Sequence, residues 1–192
     1  MSSEHGRAGA EVVHADRRDG SLLAFADALL SAVQQAQVNV SDEVRQFVTF
    51  FLRDQEYAIP ILQCCEILRC PTITRIPEAP IHVRGVVNVH GHIIPVVETR
   101  RCFGLEPTSP TSRSRLIVVE VAGRRLALLV DRVARILKLA AAAIESGVEV
   151  MEDHGVTGQA RLDDDPILLI DAERMLRAGS AASEPTTREE EA

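Results

Sequence analysis

A chain of 192 residues, 46% hydrophobic and 26% charged, has the balance of an ordinary soluble globular protein and room for one domain or two small ones. Its net charge of -7 and its 3% aromatic content, with no Trp, argue against nucleic acid as a partner: phosphate attracts basic surfaces, and single strands stack on aromatic rings. No apolar run approaches the roughly 20 residues of a membrane helix, so no direct membrane insertion is expected.

The first 20 residues are rich in charge, Gly and Ala without periodicity and read as disordered. From Ser21, a candidate cap, Leu22, Phe25, Leu29, Leu30 and Val33 recur at helical spacing, which predicts an amphipathic helix over 21–38. Asp27 interrupts that apolar run, and Glu11, Asp16 and Asp19 spoil the basic leader of an export signal. Residues 1–45 are thus read as an N-terminal extension whose helix either folds back as a lid or docks a further partner.

The folded part is expected between about Gln46 and Ala178, where β-branched runs alternate with turn signals. Gln46 to Leu52 is a strand, Arg53-Asp54-Gln55 a turn, and Glu56 to Ile59 a return strand continuing past Pro60 towards Leu68. Val86 to Val89 and Ile93 to Val97 pair around Gly91; Leu116 to Val121 and Arg125 to Val130 pair around Ala122-Gly123. A last strand, Ile167 to Ile170, runs into a helix over Asp171 to Leu176. Residues 179–192, with Glu189, Glu190 and Glu191, read as a disordered acidic tail.

An internal repeat organises the strands. An offset of 69 positions lays Phe47 to Leu52 on Leu116 to Val121, Tyr57-Ala58-Ile59 on Leu126-Ala127-Leu128, and Glu66-Ile67-Leu68 on Arg135-Ile136-Leu137. An offset of 73 lays Ile94 to Glu98 on Ile167 to Asp171 and Gly85 on Gly158. Few identities survive, so the equivalence rests on pattern. It predicts a mostly β fold of two pseudo-equivalent subdomains, each of about five short strands, closed as small barrels to remove sheet edges.

Enzyme motifs are absent: there is no Gly-x-x-x-x-Gly-Lys loop, no Gly-x-Ser-x-Gly elbow and no His-Glu-x-x-His helix. Cys64 or Cys65 with His82, His90 or His92 would be the only nucleophile-base pairing to test, against the alternative that the cysteines are small hydrophobes on a strand. Cys64, Cys65 and Cys70 lack C-x2-C spacing, and adjacent strand residues point to opposite faces, so no metal is expected. Four cysteines, two of them adjacent, are read as reduced thiols. Glu66 stands out in the apolar stretch Ile61 to Leu68: it is either solvent-facing or the polar anchor of an apolar binding groove to which Cys64 and Ile67 add contact area.

The run Phe47 to Leu68, then Thr74-Arg75-Ile76-Pro77, Val83 to Asn88 and Gly91 to Val97, resembles the CheW family of chemotaxis coupling proteins; Gly123 to Val133 and Leu168 to Asp171 are similar to that family's second hairpin and closing strand. The resemblance spans about Gln46 to Arg177. It implies two intertwined SH3-like five-stranded β-barrels with short helices over 46–178, no catalysis and no cofactor. It further implies a cytoplasmic scaffold, recruited to membrane-associated receptor arrays, between the cytoplasmic tip of chemoreceptors and the regulatory domain of the histidine kinase CheA. In isolation a monomer is expected. Carried over position by position, the receptor groove takes Cys64, Glu66 and Ile67 from the first subdomain and Val133 and Ile136 from the second.

Where the family has Asn-Leu-Arg-Gly, this chain reads Asn88-Val89-His90-Gly91, so His90 replaces the arginine that pairs with the glutamate matching Glu66. An imidazole lacks the fixed bidentate fork and permanent charge of a guanidinium, so a weaker pair is expected. Glu98-Thr99-Arg100 likewise stands for Asp-Leu-Arg, and Ala127 for a common glycine. Two rivals remain: a Cys/His enzyme, and a ring or array component that binds without relaying a signal.

Overall fold

Strands buried on both faces show near-continuous apolar runs, and the central strands of this chain do so in a computed structural model that describes residues 11–14, 31, 44–145, 154–162 and 165–181. In chain order the strands are β1 (Glu11–His14), β2 (Val44–Leu52), β3 (Gln55–Pro60), β4 (Cys64–Arg69), β5 (Val83–Val89), β6 (His92–Glu98), β7 (Arg115–Val121), β8 (Arg124–Val130), β9 (Arg132–Ala140), β10 (Val156–Leu162) and β11 (Asp165–Ile170). Two helices follow the closing strands, α1 (Thr99–Cys102) after β6 and α2 (Ala172–Ala181) after β11. The helix expected over 21–38 lies outside the described residues except for Ser31, as does the acidic tail beyond 181. Within the stretch expected to be disordered, Glu11–His14 instead forms β1, antiparallel to β9.

The strands form two sheets, ordered β1-β9-β2-β3-β11-β10 and β4-β7-β8-β6-β5. At the offsets found in the sequence, β2 to β6 correspond to β7 to β11. Each sheet therefore combines the first two strands of one repeat with the last three of the other. The repeat alone suggested that each half closes on itself; that reading is corrected, and the intertwined arrangement implied by the family resemblance is the one present. The exchange happens at Pro60, which has no N–H to extend the ladder. A 3-10 turn, Ile61–Gln63, replaces the expected continuation, and the chain enters the second sheet at β4.

Alternation divides the apolar residues among three cores. Val48, Phe50, Tyr57, Ile59, Ile117, Val119, Leu128, Val130, Leu168 and Ile170 face a seam shared by both sheets. Their neighbours Phe47, Ala58, Leu137, Ile167 and Leu169 fill the inside of the first sheet. Leu116, Val118, Ala127, Leu129, Ile94 and Val96 fill the inside of the second. Cys102 and Phe103 at α1, with Ala172 and Met175 of α2, complete the seam, and the Phe103 ring lies 4.5 Å from that of Tyr57.

Both sheets bend back on themselves at matching places. Beyond β4, Thr74 bridges Val86 with two backbone hydrogen bonds of 2.9 and 2.8 Å; beyond β9, Glu145 bridges Gln159 with two of 2.8 Å. The register shifts between Val83 and Gly85 and again between Val156 and Gly158. A Cβ on Gly85 would run into the Thr74 carbonyl oxygen, and one on Gly158 would lie 2.8 Å from that of Glu145. Glycine is required where each closing strand passes this close to its neighbour.

Candidate functional site

β4 and β9 occupy equivalent places, each bonded laterally to the first strand of the opposite repeat. Cys64 opposes Val119 as Val133 opposes Phe50, and Ile67 opposes Ile117 as Ile136 opposes Val48. Five of the six residues singled out in the sequence therefore come from two related strands, β4 at the edge of its sheet and β9 beneath β1. Pointing inward, Cys64, Ile67 and Ile136 are 6%, 6% and 4% exposed and belong to the seam core. Val133 is half-buried and packs against the same core. The contact area assigned to Cys64, Ile67 and Ile136 is therefore spent inside the molecule. Glu66 and His90 are the members of the set with polar groups at the surface.

Glu66 sits on β4 beside a register shift, and His90 in the turn between β5 and β6. His90 and Gly91 have φ of 50° and 86°, the pattern of a two-residue hairpin turn with both central residues left-handed, and the Asn88 side-chain oxygen accepts the Gly91 N–H at 2.8 Å. The turn sends the imidazole across to β4. His90 Nε2 lies 2.9 Å from Glu66 Oε1 and 3.1 Å from Oε2. One ring nitrogen thus spans both carboxylate oxygens, where a guanidinium would offer two parallel donors. The histidine side chain is 75% exposed and the glutamate 34%, so the pair contributes at most about 1 kcal/mol to stability. It is better suited to orienting Glu66 for a partner than to holding the fold.

The position equivalent to Glu66 carries the opposite charge. Arg135 on β9 donates from Nη2 to Glu56 Oε2 of β3 at 2.8 Å, and Glu56 is buried. Two further pairs escape sequence inspection. Arg84 of β5 pairs with the buried Glu98 and also donates to the Thr108 carbonyl at 2.9 Å. Arg100 of α1 makes a two-pronged contact with Asp131, Nε to Oδ1 at 2.9 Å and Nη2 to Oδ2 at 2.5 Å, while the Arg53 N–H donates to Oδ2 at 2.7 Å. Burial pushes the Asp131 carboxyl up, but the hydrogen bonds from Arg100 and Arg53 and the charges of Arg100 and Arg132 outweigh it and hold it below the usual carboxylate value. The sequence signal for these pairs was slight: Glu98 and Arg100 drew notice only as a variation on a family motif.

At all four cysteines burial disfavours the thiolate. Burial raises the thiol of Cys64, and that of Cys102 to about 11. Cys65 is exposed but is also raised, by burial of part of its side chain and by Glu120 and Glu66, against Arg125. Among the described residues no three His, Cys, Asp or Glu side chains converge as metal ligands, and no helix is long and apolar enough to cross a membrane.

Comparison with known proteins agrees with this architecture. The family model of the CheW-like domain matches residues 46–180. A chemotaxis protein CheW of Helicobacter pylori is 30% identical over 139 residues, 71% of this chain and 84% of its own length. One from Klebsiella aerogenes is 30% identical over 141 residues, 72% and 85% respectively. The crystal structure of the scaffolding protein TtCheW from Thermoanaerobacter tengcongensis superposes with a TM-score of 0.64 at 31% identity, covering 68% of this chain and 91% of that one. With two strand-exchanged sheets of six and five strands, paired close-approach glycines and these relatives, the chain belongs to the CheW-like domain family.

Proposed function

We propose that this chain is a non-enzymatic coupling protein, holding the cytoplasmic tip of a chemoreceptor on one side and the regulatory domain of the histidine kinase CheA on the other. In this reading it is a monomer in the cytoplasm and joins membrane-associated receptor arrays through those partners. The observation that carries it is the Glu66–His90 pair at the β4 edge of the second sheet, a polar anchor with its charged groups at the surface. In the groove, Glu66, His90 and Val133 face the receptor helix, while Cys64, Ile67 and Ile136 fix the two strands from below. Relay of a signal then requires unequal affinity for two kinase states, since equal affinity shifts nothing.

Co-purification with a CheA regulatory domain, followed by titration of a receptor-tip fragment, tests this reading; failure of both leaves only the fold. Replacing His90→Arg restores a two-pronged donor opposite Glu66, and receptor-fragment affinity is expected to rise several-fold. Unchanged affinity in that titration removes His90 from the interface.

A further inference from the structure

At the end of the module where the β2–β3 turn, α1, the 105–114 loop and the β8–β9 junction meet, a cleft of about 330 Å³ is lined by four arginines, Arg53, Arg100, Arg113 and Arg132, against Asp54 and Asp131. This surplus of positive charge stands on a chain whose net charge is -7. Asp131 does not neutralise it outwardly, because both of its oxygens are taken by Arg100 and the Arg53 N–H. The side chains of Arg53, Arg113 and Arg132 make no hydrogen bond or ion pair with any described residue. Arg132 is nonetheless held in place, its guanidinium 3.3 Å from the centroid of the Phe51 ring. Burial pulls that guanidinium below its ordinary value, and the charges of Arg113 and Arg135 add to the depression against the opposite pull of Glu56 and Asp131. A cleft so charged calls for carboxylates.

One acidic segment is within reach. Residues 182–192 carry Glu184, Glu189, Glu190 and Glu191 against Arg188 alone. They follow α2, whose Gly179 rests on Cys102 of α1, close enough that a Cβ there would lie 3.0 Å from the Cys102 sulfur. Arg100 of the same short helix lines the cleft. The eight residue steps from Ala181 to Glu189 can span up to about 26 Å.

We propose that the arginine cleft is a docking site for acidic peptide, and that its occupant in the free protein is this chain's own Glu189-Glu190-Glu191 segment. Tethering makes the segment a competitor at an effective concentration on the order of millimolar, so an external acidic peptide binds only where it displaces the tail.

The test uses the full chain and the full-length triple variant Glu189→Gln, Glu190→Gln, Glu191→Gln, each titrated calorimetrically with a synthetic peptide of residues 182–192 at low salt. The variant is expected to bind the peptide at least fivefold more tightly than the native chain. Adding Arg113→Gln, at an exposed position, is expected to weaken the variant's binding at least fivefold with its circular dichroism and melting unchanged. Equal affinity for both chains, no binding to the triple variant, or binding indifferent to Arg113→Gln would each overturn the proposal. The readout is independent of receptor and kinase, so it stands or falls apart from the coupling role.

Discussion

Asp131 joins three separated pieces of chain through one carboxylate, and its pH response follows from that. Because its folded value lies below the ordinary 3.8, the stabilisation is complete above about pH 4 and is lost as pH falls through the folded value. Asp131→Asn is expected to lower stability by about 1–2 kcal/mol at pH 7. The gap between variant and parent should narrow as pH falls below 4 in thermal melts at pH 7, 5, 3 and 2; a gap of the same size at every pH would show the loss to be packing. Residues of this kind are hard to read from sequence because their partners are remote: Arg100 is 31 positions away and the Arg53 N–H 78. Glu66 is legible for the opposite reason, as a carboxylate among apolar neighbours. Its partner His90 came from the family resemblance, since nothing in the spacing of 24 positions announces it. The sequence also gave no sign that Cys64, Ile67 and Ile136 turn inward, because an apolar residue on a strand is compatible with either face.

At the level of strands, hairpins with tight turns were readable and strands interrupted by charge were not. The two turns at His90-Gly91 and Ala122-Gly123 have the same left-handed backbone and were recognised from Gly flanked by β-branched runs. β9 was missed because Arg132, Arg135 and Lys138 break its apolar pattern, and β10 because Thr157, Gly158 and Gln159 read as loop. β10 buries alternate residues, β9 buries Ile136, Leu137 and Leu139, and Glu56 compensates Arg135. Gly158 was matched with Gly85 by the repeat before any reason for either was visible, and close backbone approach now supplies it. Gly85→Ala should therefore destabilise by at least about 2 kcal/mol, and Gly158→Ala by less, because its Cβ has more room. Urea unfolding of the two variants checks the order; a reversed order would mean that the second bridge is the less forgiving of the two.

For the molecule as a whole, the shared seam makes the sheets interdependent. Phe50 of the first sheet and Leu128 of the second lie in one core, so Phe50→Ala, expected to remove about 3–5 kcal/mol, should shift a single transition rather than expose one sheet alone. Hydrogen exchange should show protection falling in β7 and β8 as much as in β2 and β3. For the same reason a fragment of residues 44–110 holds no complete sheet and is expected to stay unfolded by circular dichroism. A fold of this fragment with native-like spectra would contradict the exchange of strands.

The crossing at Pro60 also sets a timetable for synthesis. All five strands of the second sheet have left the ribosome once Val130 is clear of the exit tunnel, whereas β2 and β3, made earlier, wait for β11 at Asp165–Ile170 before their own sheet can form. The first hairpin translated is thus among the last to be enclosed, and through that interval Phe47 and Phe50 are the side chains a nascent-chain chaperone would meet.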